Sequence, residues 1–171
     1  MPPKGTSMTY EEFLATRLRD LLRFSVVLCG DRGLGEDLVQ DVLLRAHTRW
    51  DHIGSADSPF AYVRRMLVNE HVSWRRKWSR QIPTADVSPV QSAADHAEQI
   101  ADRDDLMPRL RALPARQRAA IVLRYYGGLT DLEIADTLGC SPGTIRGYLS
   151  RALATMRVQL DSESSLAWKD A

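Results

Sequence analysis

The chain has little of what covalently stapled or membrane-borne folds require. Its two cysteines, Cys29 and Cys140, lie far apart and neither belongs to a C-x-x-C pair. That argues against a zinc ribbon and a disulfide framework, and a reducing compartment is the simplest home. No apolar run approaches the length of a bilayer span, and the opening M-P-P-K-G-T-S-M lacks the apolar stretch of a secretory signal. The expected location is therefore the cytoplasm. Enzyme signatures are missing too: there is no G-x-x-x-x-G-K-[ST], no H-E-x-x-H and no paired metal motif, and His47, His52, His71 and His96 fall on separate faces or in loops. No catalytic, metal or cofactor site is expected.

The chain does have enough apolar content, 44% of 171 residues, for one ordinary domain or two small ones. A net charge of +1 conceals a segregation. Arg64, Arg65, Arg75, Arg76, Lys77 and Arg80 stand against Glu70 alone, whereas Asp86, Asp95, Glu98, Asp102, Asp104 and Asp105 stand against Arg103. Basic patches on both sides of an acidic stretch suggest two nucleic-acid contacts.

The most informative stretch runs from Thr130 to Arg157. Thr130 with Glu133 reads as a capping box that starts a helix, and Gly139 stops it. Ser141 can cap a second helix that Pro142 opens. Ile134, Ala135 and Leu138 form one apolar stripe, and Ile145, Leu149 and Leu153 form another. This is a helix-turn-helix pattern, whose second helix enters the major groove. Ser141, Thr144, Arg146, Ser150 and Arg151 supply donors suited to phosphates and base edges. An ordinary corner between two helices is the alternative. Upstream, Leu106, Leu110 and Leu113 resume a helical period, and a helix from Pro114 carries Ile121, Val122, Leu123 and Tyr125 to Gly127-Gly128.

The front half predicts three helices. Phe13, Leu14, Leu18, Leu21, Leu22 and Val26 follow one helical period until Gly30, Gly33 and Gly35 break it. In the next segment, read from Gly35 and with Leu34 just before it, Leu34, Leu38, Val39, Val42, Leu43, Ala46 and Trp50 share a core side. Opposite lie Glu36, Asp37, Gln40 and Asp41 with Leu44 among them. That face fits a protein-binding surface, or a solvated polar face with one stray leucine. After a polar loop, Ser58 caps and Pro59 opens a third helix with a core face of Phe60, Val63, Leu67, His71, Trp74 and Trp78, on which His71 reads as a packed histidine. Its other side, Tyr62, Arg65, Asn69 and Arg76, suits single-stranded nucleic acid or is a solvated basic face.

The expected architecture is all-α: a disordered extension over 1–9, a helical domain over 10–80, a flexible acidic linker over 81–103, a helix-turn-helix domain over 104–160 and a tail over 161–171. Three motifs, E-D-L-V-Q-D-V-L-L-R-A, F-A-Y-V-R-R-M-L-V-N-E-H-V-S-W-R-R and the run from Leu113 to Leu153, in this order and spacing, resemble the bacterial extracytoplasmic-function (ECF) sigma factors of RNA polymerase, the short actinobacterial type above all. The resemblance covers Tyr10 to Leu160. It implies core RNA polymerase as partner, through the β′ clamp helices and the β flap, with Asp37, Gln40, Asp41 and Leu44 at the clamp contact. It implies promoter DNA as a second partner. Tyr62, Arg65, Asn69 and Arg76 would face the melted −10 strand, and Ser141, Thr144, Arg146, Ser150 and Arg151 the −35 element. The linker would thread toward the polymerase active centre, and an anti-sigma factor is a candidate third partner.

The sequence departs from many relatives at Tyr62, where they carry Trp, at Ser73, where they carry an acid, and at Gly147, where they commonly carry Ser. A conventional DNA-binding regulator acting without polymerase is the competing reading; it has no use for the stripe on the third helix.

Overall fold

Thr9 starts the first helix. Its hydroxyl accepts from the Glu12 amide while the Glu12 carboxylate accepts from the Thr9 amide, closing two orphan donors together. Helix α1 (Tyr10–Cys29) runs until Gly30, whose φ of 68° ends it. The structure, a computed structural model, describes the backbone of residues 7–81 and 106–167 and the side chains of 7–74 and 106–157. Across the described residues the fold is all-α, as expected, with eight helices and no strand. The chain divides into two compact units between residues 76 and 77.

Helix α2 (Arg32–His47) begins three residues before the expected Gly35, because the Asp31 carboxylate accepts from the Leu34 amide at 2.9 Å and caps it. Gly33 and Gly35 therefore lie inside the helix, and Gly30 alone breaks the chain. Gly35 is required by a close crossing: a Cβ there would sit 2.8–2.9 Å from backbone atoms of Ser25 and Val26 on α1. Tyr10 ties the same two helices, its hydroxyl donating to the Leu43 carbonyl at 3.2 Å. Burial, and after it the Glu11 carboxylate, hold this phenol above its ordinary pKa, so it stays a donor.

The segment read as a polar loop holds one helical turn, α3 (Trp50–Ile53), because Ile53 is fully buried. Trp50 belongs to this turn and not to α2. Its indole donates to the Met8 carbonyl at 2.8 Å, and the Met8 amide donates to Gly54 O at 3.3 Å. Met8 and Thr9, counted above with a disordered extension, are thus fastened to the unit; residues 1–6 lie outside the described residues.

Ser58 accepts from the Ala61 amide at 3.2 Å and opens α4 (Pro59–Gln81). Val63, Leu67 and Val68 complete a core with Phe13, Leu21, Phe24 and Leu28 of α1 and Leu38, Val39, Val42 and Ala46 of α2. Each of the valines, leucines and phenylalanines contributes about 1.5–3 kcal/mol on burial. His71 is buried with its Nδ1 3.6 Å from Cys29 Sγ, which makes it the packed histidine expected. The expected linker, apart from Gln81, lies outside the described residues.

The second unit comprises α5 (Leu106–Ala112), α6 (Ala115–Tyr125), α7 (Asp131–Leu138) and α8 (Pro142–Ala167). Pro108 sits in the first turn of α5, where its missing amide costs little. Arg118 on α6 is buried, and its guanidinium donates to the carbonyls of Arg111 at 2.9 Å and Leu113 at 3.1 Å. Both carbonyls lie at the end of α5, where helix geometry leaves acceptors for side chains to satisfy. Ile121, Val122 and Leu123 of α6 are buried, while Tyr125 at its end faces solvent at 68% exposure. Helix α8 continues beyond Leu160 to Ala167, so helical backbone extends into the expected tail.

Candidate functional site

Three surfaces carry the residues singled out by sequence. The first is one side of α2. Asp37, Gln40 and Asp41 are exposed, and Leu44 stands 70% exposed beside them. The apolar positions of the helix, Leu38, Val39, Val42, Leu43 and Ala46, are buried, which fixes this orientation. Glu36 is partly neutralised by Arg32 at 2.8 Å. Among the described residues neither Asp37 nor Asp41 takes part in an ion pair, so their charge faces outward uncompensated.

Leu34, assigned to the core by its angle on a helical wheel, is instead 48% exposed. It lies in the first turn, beyond the end of the packing contact at Gly35, and its spacing to Asp37, Asp41 and Leu44 places all four along one stripe. The signal was present in that spacing but outweighed by leucine's apolar character.

The second surface is α4 with the turn before it. Arg65 and Asn69 are exposed, and Tyr62 is half-buried with its ring edge-on to His52, centroids 5.9 Å apart and planes at 82°. Two rings thus meet where the α3 segment faces the start of α4. Phe60, placed on the core side by sequence, is only partly buried and lies between the guanidinium groups of Arg17 and Arg64, at 5.4 and 5.7 Å. The Arg76 side chain lies outside the described residues.

The third surface is the helix-turn-helix. Thr130 and Glu133 form the expected reciprocal cap, and Gly139 takes the left-handed conformation at φ 63°. Ile134, Ala135 and Leu138 of α7 are buried, as are Ile145 and Leu149 of α8. The Ser141 hydroxyl accepts from the Thr144 amide at 3.2 Å and bonds the Thr144 hydroxyl at 2.9 Å, so these two side chains first serve the cap of α8. Arg146, Ser150 and Arg151 remain exposed on its outer side. Outside the motif, Arg116 donates to the Leu138 carbonyl at 3.2 Å, and Arg124 bonds Asp131, which fastens α6 to both ends of α7. Helix α8 is therefore presented by a frame tied at both ends of α7.

Gly147 costs that helix stability without filling a steric need. A Cβ built on it meets only Arg151 Nη2 at 3.5 Å, an ordinary contact. Gly147→Ala is expected to stabilise the second unit by about 0.5–1 kcal/mol, read as a rise in its thermal transition.

Comparison with known proteins decides what these surfaces belong to. Residues 13–81 match the model described as Sigma-70 region 2, and residues 103–156 match Sigma-70, region 4. The RNA polymerase sigma-E factor of Streptomyces avermitilis is 38% identical over 159 residues, 92% of this chain and 88% of the relative. The chain belongs to the extracytoplasmic-function sigma factors. The ECF RNA polymerase sigma factor SigL of Mycobacterium tuberculosis is 33% identical over 158 residues, 88% of this chain and 86% of SigL. The solved sigma factor RpoE of Bartonella quintana, in complex with the anti-sigma factor NepR, superposes with a TM-score of 0.72 at 31% identity, covering 89% of this chain and 96% of RpoE. CnrH, solved with the cytosolic domain of CnrY, shares the fold at a TM-score of 0.61 and 22% identity, covering 92% and 91%.

As a sigma factor the protein binds core RNA polymerase and directs promoter recognition and transcription initiation. Among the described residues no helix is long and apolar enough to cross a membrane, and no group of three or more metal-ligating side chains occurs.

Proposed function

We propose that the three surfaces divide the work of this sigma factor between them. Asp37, Gln40, Asp41 and Leu44, extended by Leu34, dock on the basic clamp helices of the polymerase β′ subunit. Charge steers the encounter and the two leucines anchor it. Tyr62, Arg65, Asn69 and Arg76 hold the non-template strand of the −10 element as it leaves the duplex. Extrusion of a base costs a few kcal/mol, and ring stacking and phosphate contacts offset it, so melting draws on binding energy alone. Arg146, Ser150 and Arg151, with the capped N-terminus of α8 at Ser141 and Thr144, read the −35 element. The second unit meets the β flap.

The protein carries out no bond chemistry of its own and acts in the cytoplasm, where polymerase and promoter are. The acidic stretch between residues 81 and 103 follows the path of the nascent RNA. An anti-sigma factor is a further partner, by analogy with RpoE, which is held by NepR.

The observation that carries this division is the outward, unpaired charge of Asp37 and Asp41 on a helix whose other side is wholly packed. The melting role is tested by permanganate reactivity of promoter thymines in complexes formed by wild type and by Tyr62→Ala. The variant is expected to associate with core polymerase as wild type does while losing reactivity around −10. Undiminished reactivity would remove Tyr62 from the melted strand.

A further inference from the structure

We propose that Tyr148 is a positioning residue that holds the Arg151 guanidinium ready for a guanine edge in the −35 element. This rests on the reading of α8 as the −35 reader. At 100° per residue the centre of the outer side of α8 is occupied by Gly143, Gly147 and Ala154, with Arg146 on one flank and Thr144, Tyr148 and Arg151 on the other. Both guanidinium groups fold back over the bare backbone. A Cβ built on Gly143 would meet Arg146 Nη2 at 3.9 Å, and one on Gly147 would meet Arg151 Nη2 at 3.5 Å.

The two arginines then differ. Arg151 Cζ lies 5.6 Å from the centroid of the Tyr148 ring one turn earlier, within cation–π range, whereas no such ring contact holds Arg146 among the described residues. Tyr148 is itself half-buried, so its ring has few alternative positions.

The chemistry of the ligand follows from that difference. A ring held beside the guanidinium carbon restricts where the side chain swings and leaves its N–H fork free for a ligand. Guanine presents O6 and N7 to such a planar fork in the major groove, and the bidentate pair needs the plane to be right. A phosphate can take the same fork, but it is alike at every base pair, so a hold that served a phosphate alone would change affinity without changing discrimination. Ordering Arg151 before DNA arrives also removes rotamer freedom that binding would otherwise have to freeze. Tyr148 thus acts on discrimination more than on general affinity.

The test uses holoenzyme made from core polymerase and the full chain, on a promoter mapped by run-off transcription and substituted at each −35 base pair in turn. Arg151→Ala is expected to lose about 5- to 150-fold of the preference for guanine at one position. Tyr148→Leu is expected to lose about two- to fivefold at the same position and little elsewhere, and Tyr148→Phe to retain the preference. All three variants should keep core association and the thermal transition of wild type. The proposal is overturned by a Tyr148→Leu holoenzyme that selects as wild type does or weakens on every promoter alike, and equally by Tyr148→Phe failing with it. Unchanged selection by Arg151→Ala would remove the underlying assignment of Arg151 as well, so the two failures are told apart by which variant is silent.

Discussion

Gly35→Leu unfolds the front unit and leaves the helix-turn-helix unit standing. The position of a Cβ on Gly35 is within 2.8–2.9 Å of backbone N, C and Cα atoms of Ser25 and Val26, and backbone cannot swing aside as a side chain can. Helices α1 and α2 would have to separate along the crossing that buries Leu21, Phe24, Leu28, Leu38, Val39 and Val42. Overpacking of this kind costs about 1–3 kcal/mol where the surroundings can adjust; here the contacts are with backbone, and a cost above that range, enough to unfold a small unit, is expected. Gly35→Ala, which gains helix propensity while meeting the same backbone, should fall between the extremes. Because the chain has two units, a single melting temperature would blur the effect. Tryptophan emission separates them, since Trp50 lies on α3, Trp74 and Trp78 lie on α4, and only Trp168 follows these helices in the chain. Loss of the native emission shift with an unchanged second transition is the expected record; a wild-type profile would show that the helices do not cross as described.

Asp41→Arg has the largest expected effect on function. It replaces an exposed carboxylate on the α2 stripe with a cation, so a basic partner is repelled where it was attracted. Like charges placed together across an interface cost several kcal/mol, and affinity for core polymerase should fall by at least about tenfold. The fold should not notice, because exposed substitutions away from caps and cores stay within about 0.5 kcal/mol. Titration of labelled core polymerase measures the first expectation and thermal unfolding the second. An unaltered affinity would move the docking surface off α2.

The back half was the more legible in sequence, and the reason is local. Thr130, Glu133, Gly139, Ser141 and Pro142 each act within one turn of their own position, so their meaning does not depend on what packs nearby. Thr9 and Glu12 form the same reciprocal cap, yet the polar opening around them obscured it. Other features depend on neighbours that no local pattern contains. Gly33 and Gly35 read as breakers because their place inside α2 is dictated by the Asp31 cap and by the approach of α1. Leu34 and Tyr125 follow apolar periods and still face solvent, since each sits where its helix has run past its partner. Arg118 is the reverse case, a charged residue drawn inside by two carbonyls at the end of α5.

The site residues divide in the same way. Leu44, Asp37 and Asp41 were legible because an acidic face with an apolar centre is a surface property that helical angle alone predicts. The meeting of His52 with Tyr62 was hidden, since it depends on a short helix ending in the buried Ile53, which composition had disguised as a polar loop. So was the hold of Tyr148 on Arg151, which needs the position of a guanidinium as well as the identity of its residue.

The account turns on one activity, promoter-directed initiation by core polymerase carrying this chain. The most direct measurement is run-off transcription on genomic DNA fragments with purified core polymerase and wild type, Asp41→Arg or Arg146→Glu. Wild type is expected to start discrete transcripts. Both variants should lose them, Asp41→Arg with its core association and Arg146→Glu without losing it. A wild-type protein that starts no transcript, yet binds duplex DNA without polymerase, would contradict the account and make the chain a conventional regulator.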